Sequence, residues 1–172
     1  MIQEFTQEMK NLVEDKIRDL HTVLPGKIVS FDPARCEAIV LPHGKYMKPN
    51  GEMIDFPKIS SVPVLFPQGA GQTAAIVWPV KEGDECLLLF AEQTLETWRD
   101  GTESMTNLRF DLQNAVAIVG LFAKPSPAVN EACSEDALII EKGGERVKLA
   151  VGSITITSTG SVNVRAPVIN LN

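Results

Sequence analysis

Chemistry in this 172-residue chain would have to start from His21 and His43, from Cys36, Cys86 and Cys133, and from the adjacent acids Asp84 and Glu85. Both histidines stand apart from any cysteine or acidic cluster with ligand spacing, so neither reads as a metal ligand. His21 is expected to end a helix and His43 to sit in a loop. The cysteines are odd in number and lack a CxxC pair. Cys36 and Cys86 fall inside apolar, strand-like runs, so buried reduced thiols are expected. Asp84 and Glu85 resemble a carboxylate pair for glycoside hydrolysis, yet neighbours on a strand point to opposite faces and cannot flank one bond. A solvated turn after Gly83 is the better reading. No GxSxG, Walker or GxGxxG pattern occurs, and Gly69-Ala70-Gly71 reads as a turn. The expectation is a chain with no catalytic residue, no metal site and no cofactor. It also lacks room for an added lysozyme-like domain, so cell-wall hydrolysis would need another subunit.

Charge narrows the partners. Twenty-two acidic side chains against 16 basic ones give a formal net charge of -6, which opposes approach to a phosphate backbone. A nucleic-acid-binding barrel would need several exposed aromatic rings beside a basic groove. The chain has ten aromatic residues, and Trp78 and Trp98 lie in apolar contexts that point to core packing. No nucleic-acid binding is expected. No apolar run approaches the roughly 20 residues that span a bilayer, and the N-terminus lacks the pattern of a signal peptide, so synthesis and folding are expected in the cytoplasm.

The elements that would position any site divide the chain into four. Residues 1–20 place Ile2, Phe5, Met9, Leu12, Val13, Ile17 and Leu20 at spacings of three and four, an amphipathic helix. Its stripe either covers its own domain or docks on a neighbouring subunit. Residues 21–122 switch to short β-rich runs near 27–31, 36–41, 59–66, 73–78 and 85–91, punctuated by Pro, Gly and Asp. Asn50-Gly51 signals a two-residue hairpin. Residues 93–99 suggest a short helix with Trp98 on its buried side. Five strands and a helix predict a small barrel of the OB type. Residues 123–136, with two prolines and no periodicity, read as a linker.

Residues 137–172 are the most informative. After Lys148 only Arg165 is charged, and apolar residues alternate strictly. They are Val147, Leu149 and Val151, then Ile154 and Ile156, then Val162 and Val164 with Ala166, then Ile169 and Leu171. Turn residues at 143–144, 152, 160 and 167 separate about five short strands. One chain cannot bury such faces alone, and open uncharged edges invite pairing with other chains. Three copies wound together would place these residues in a shared trimer core. The alternative is that they extend the barrel as extra strands.

Four stretches together resemble the central spike proteins of contractile phage tails, whose N-terminal domain is an OB-fold. They are HTVLPGKIVSFD from His21, ISSVPVLFP from Ile59, WPVKEGDECLLLF from Trp78 and FDLQNAVAIVGL from Phe110. The match covers roughly residues 20–124. The resemblance implies a mainly β homotrimer in the baseplate of a phage or tailocin, made in the bacterial cytoplasm. Its OB domain would join baseplate hub and tail tube proteins. Its C-terminal triple-stranded intertwined β-helix would face the host cell envelope. Many such spikes end in a histidine-x-histidine tip that binds iron in the trimer; here the last residues are Ile169-Asn170-Leu171-Asn172. With about five strands rising ~4.8 Å each, the prism would stand on the order of 25 Å tall. Either it is blunt or a separate tip protein caps it. The competing reading is an OB-fold ligand- or nucleic-acid-binding module.

Overall fold

The structure, a computed structural model, describes residues 2–18, 20–48, 50–101 and 109–170. They form two compact units, Met1–Leu121 and Phe122–Asn172. In the first unit the three-and-four spacing yields a helix over Ile2–Arg18 (α1). Its apolar stripe stays open, with Phe5 64 % and Ile17 66 % exposed, so it does not cover its own domain.

Strands follow at Val23–Asp32 (β1), Glu37–Pro42 (β2), Lys45–Met47 (β3), Met53–Asp55 (β4), Ile59–Pro63 (β5), Gln68–Gly69 (β6), Ala74–Ala75 (β7) and Glu85–Phe90 (β8). A short helix at Glu96–Asp100 (α2) precedes the strand Ala115–Val119 (β9). Five of these strands form one antiparallel sheet in the order β5-β2-β1-β8-β9. It curls into a half-barrel whose two edges touch. Val64 bridges Ala117 in parallel, and the Leu65 N–H donates to the Ala117 carbonyl at 2.9 Å.

Period-two alternation places Ile28, Val40, Val62, Cys86 and Leu88 inside, all essentially sealed from solvent. Full burial of such a side chain contributes about 1.5–3 kcal/mol. Gly26 belongs to the same interior for want of space. A Cβ there would sit 2.9 Å from Val40 Cγ1, 3.1 Å from Leu88 Cδ1 and 3.3 Å from the Leu41 carbonyl oxygen.

Several expectations for this unit need correction. The β3–β4 connection is a three-residue loop. Lys48 still pairs with Glu52, its N–H reaching the Glu52 carbonyl at 2.9 Å. Only Gly51 takes positive φ (84°), while the Asn50 side chain instead accepts the Glu52 N–H at 3.0 Å. The run 73–78 forms only the two-residue β7, and β9 completes the sheet. Trp98 is 71 % exposed and Trp78 38 % exposed, so neither is core. Trp78 covers Phe66 edge-on at 5.3 Å. The helix bearing Trp98 is held by its neighbour Arg99, which pairs with Glu37 and donates to the Ser61 carbonyl; this leaves the indole outside.

In the second unit, part of the expected linker is a helix, Pro127–Glu135 (α3), with proline in its first turn. A meander follows: Leu138–Lys142 (β10), Glu145–Ala150 (β11) and Ser153–Thr157 (β12), antiparallel in that order. Gly143 and Gly152 take positive φ at the two turns. Beyond Thr157 the described residues form no strand, although Val162 and Val164 alternate with polar neighbours as strand residues do. Alternation alone does not make a strand: a strand also needs a neighbour to pair with, and among the described residues none pairs with this stretch.

Leu88→Ala should destabilise the first unit by about 2–5 kcal/mol and Gly26→Ala by about 1–3 kcal/mol. Combined, they should cost less than their sum, because the vacated Leu88 Cδ1 is one of the atoms a Cβ at 26 would meet. Urea unfolding followed by fluorescence checks this, since Trp78 and Trp98 both lie in this unit.

Candidate functional site

The residues that carried chemical expectations are tied up in structural contacts. Asp84 closes a turn, its carboxylate accepting the Lys81 N–H at 2.8 Å. Glu85 lies on the outer side of the sheet, with Oε2 2.8 Å from His43 Nε2. That pairing joins residues 42 positions apart, which sequence spacing could not reveal. His21 follows the helix and packs its ring against Phe56 and Phe90, with centroids 5.8 and 5.6 Å away. The expectation of buried thiols holds for Cys86, where burial pushes the pKa up to about 11. Cys36 and Cys133 are exposed, which corrects that expectation. Cys36 falls in the β1–β2 turn with φ 55°, its Sγ 3.5 Å from the Val64 carbonyl. Among the described residues no three His, Cys, Asp or Glu side chains gather as metal ligands. A shallow recess of about 350 Å³ lies between His21, Tyr46, Phe56 and Asp111.

The feature that stands out is apolar surface, and it begins with the meander. Register pairs Ile140 with Val147 and Val147 with Ile156; one step along, it pairs Leu138 with Leu149 and Leu149 with Ile154. Six apolar side chains thus form two rows on one face. They are open: Leu138 and Ile140 are 60 % exposed and Ile154 is 72 % exposed. The opposite face is occupied by α3. Arg146 Nη2 lies 2.8 Å from Glu131 Oε2, Lys148 Nζ lies 3.0 Å from Glu131 Oε1, and Lys148 also bonds Glu135. Hydrogen bonds from Arg146 and then Lys148 hold the Glu131 carboxyl below its ordinary value of 4.5. Beyond β12, hydrogen bonds from Ser158 and Thr159 lower the Glu145 carboxyl likewise.

Of the residues expected in a trimer core, Val147, Leu149, Ile154 and Ile156 are brought together on this face. Val151 falls in the β11–β12 turn, Val162, Val164 and Ile169 lie exposed beyond the strands, and Leu171 is outside the described residues. The sequence reading missed Leu138 and Ile140, because the unbroken apolar run Leu138-Ile139-Ile140 carries no alternation to mark which side faces out.

The barrel carries a second apolar face, on its outside. Val23, Leu89 and Val116 form one row across β1, β8 and β9, and Pro25, Leu87 and Ile118 form the next. All six are half-buried or exposed. A half-barrel built from such doubly apolar strands, with its β1 opening at Val23, coincides with the matched region of a known family. Residues 24–120, more than half of the chain, match the family model described as the phage protein Gp138 N-terminal domain. The chain belongs to that family. It is accordingly a phage protein with a structural role, and the matched residues are those of the curled sheet. No curated protein matches the chain. Among the described residues no helix is long and apolar enough to cross a membrane.

The α3 contacts give a pH dependence with a definite sign. A carboxyl whose folded pKa is lowered stabilises the fold fully above its unfolded value, and that contribution is lost as pH falls through the folded value. Amide exchange of residues 127–135 should therefore accelerate below about pH 4, while residues in β1 and β8 keep their protection at the same pH. Glu131→Gln should show the faster exchange of α3 already at pH 7.

Proposed function

We propose that this chain is the central spike of a contractile injection apparatus, acting as a homotrimer at the baseplate end of a tail tube. The observation that carries the reading is the open apolar face of the meander. Six apolar side chains lie in register on one side of a three-stranded sheet, with α3 already on the other. Surface of this kind costs free energy in water and is relieved by association. Three copies facing inward would bury these rows together, and residues 158–172 would gain the partners they need to become strands. The prism so formed is a triple-stranded β-helix with Val147, Leu149, Ile154 and Ile156 near its axis, continued by Val162, Val164, Ile169 and Leu171.

The first unit supports the same reading. Strand order β5-β2-β1-β8-β9, with a parallel bridge closing β5 against β9, is the order of a five-stranded OB barrel. In this reading the barrels join the trimer to hub and tube proteins, and residues 137–172 pierce the host envelope when the sheath contracts. The work is mechanical. Hydrogen bonds running between chains resist bending, and a shared dry core makes unfolding concerted and slow. No catalytic step is assigned. The histidines give the tip no iron site, since His21 packs between Phe56 and Phe90 and His43 pairs with Glu85. A separate tip protein is the reading's natural complement.

A ligand- or nucleic-acid-binding barrel is the competing reading, and the exposed Trp98 is the observation in its favour. Against it, the adjacent cation Arg99 is spent internally on Glu37 and Ser61 and is not available to a ligand beside the indole.

Light scattering at micromolar concentration should give a mass about three times 18.7 kDa. Ile156→Asp would bury three carboxylates together, at a cost of several kcal/mol per trimer. It should yield monomers or aggregates. Thr155→Asp, on the face that carries Lys148, should remain trimeric. A monomeric wild type, or equal tolerance of both changes, counts against the spike.

A further inference from the structure

The helix α1 has an apolar stripe and no surface to set it on. Phe5, Met9, Leu12, Val13 and Ile17 are 46–66 % exposed. No single heptad frame takes all five residues: the frame through Phe5, Met9 and Leu12 runs into Lys16 and the frame through Val13 and Ile17 runs into Lys10, so the stripe is not the narrow seam of a coiled coil. It is a broad band suited to a flat apolar surface. The same chain holds such a surface uncovered, the outer face of β1, β8 and β9 with its rows Val23-Leu89-Val116 and Pro25-Leu87-Ile118.

The two match in size. Seventeen helical residues extend about 25 Å with a width of about 10 Å. Three strands of five or more residues offer a field about 17–20 Å long and on the order of 10–15 Å wide.

The helix has no slack with which to reach its own barrel. Leu20 is still tied to the helix, its N–H donating to the Ile17 carbonyl at 3.2 Å. His21 is already tied to the barrel, its N–H donating to the Phe110 carbonyl at 3.1 Å. At Thr22 the carbonyl accepts the Phe90 N–H at 3.0 Å, extending the β1–β8 pairing before Val23. The last residue of the helical turn and the first residue pinned to the barrel are consecutive. Folding the stripe back onto the outer face of the same sheet needs a reversal of the chain, and among the described residues between Ile17 and Val23 none is free for it.

We infer that α1 is an exchange arm: its apolar stripe docks on the outer β1-β8-β9 face of a second copy of this chain. The inference rests on the trimeric reading above. One arm given and one received per copy is a head-to-tail contact, which closes as a ring of three under three-fold symmetry.

The test uses the full chain in a Cys36→Ser, Cys133→Ser background; Cys86 stays silent because it is buried. One form carries Met9→Cys and a second, size-tagged form carries Ile118→Cys. They are co-expressed, treated with a short bis-maleimide and separated on a denaturing gel, with circular dichroism checking that each is folded. If Ile118→Cys disturbs the barrel, Leu87→Cys takes its place. A covalent adduct between the two forms is expected, and it should be lost when the thiol is moved to the opposite helix face with Gln7→Cys. Three results in a trimeric protein overturn the arm and leave the spike standing: no adduct, adducts only between Met9→Cys forms, or a link within one chain when both cysteines are in it. A monomer by light scattering removes both.

Discussion

Strands β1, β8 and β9 are apolar on both faces, and closing a barrel buries only one of them. The run Cys86-Leu87-Leu88-Leu89-Phe90 shows the constraint most plainly. Cys86, Leu88 and Phe90 fill the interior, while Leu87 and Leu89 are left on the outside with Val116 and Ile118. Strands that read as continuous apolar runs are normally covered on both sides. The surplus recurs at both ends of the chain, in the stripe of α1 and in the open rows of the meander. Exposed apolar patches of this extent are the kind of surface at which association buries area. The net charge of -6 opposes non-specific association of such a surface.

The interior of the half-barrel was legible because its signal is local. Alternation at Ile28, Val40 and Leu88 states which side is in, and the paired apolar rows of the meander were partly legible for the same reason. What escaped depended on partners distant in sequence. Trp98 reads as buried from its apolar neighbours, but its helix is fixed by Arg99 reaching Glu37 and Ser61. Cys36 reads as part of a strand, yet the chain turns there and leaves the thiol outside. His43 reads as an isolated loop residue because nothing in spacing reveals Glu85 across the sheet. The helix α3 was hidden by prolines that mark a helix start as readily as a linker.

Charged groups in the described residues act as ties between elements. Glu37 receives both Arg35 and Arg99, linking the start of β2 to α2. Glu131 receives both Arg146 and Lys148, linking α3 to β11. Exposed pairs contribute little stability one at a time, but each selects a single placement for a short helix that has few buried contacts of its own. These ties orient surfaces, and the surfaces are where free energy remains to be gained.

The seat of α3 on the meander has a consequence for how copies meet. Arg146 and Lys148 alternate along β11 with Val147 and Leu149, so a helix held by the two cations occludes one side of the sheet and leaves the other bare. A sheet with both sides open could stack in either sense and grow without limit, layer upon layer. Here one side is closed by α3, so in the proposed trimer a second copy would find a single sense in which to stack. In the proposed trimer, the helix would thereby act as a terminator, restricting stacking to the bare side of the sheet.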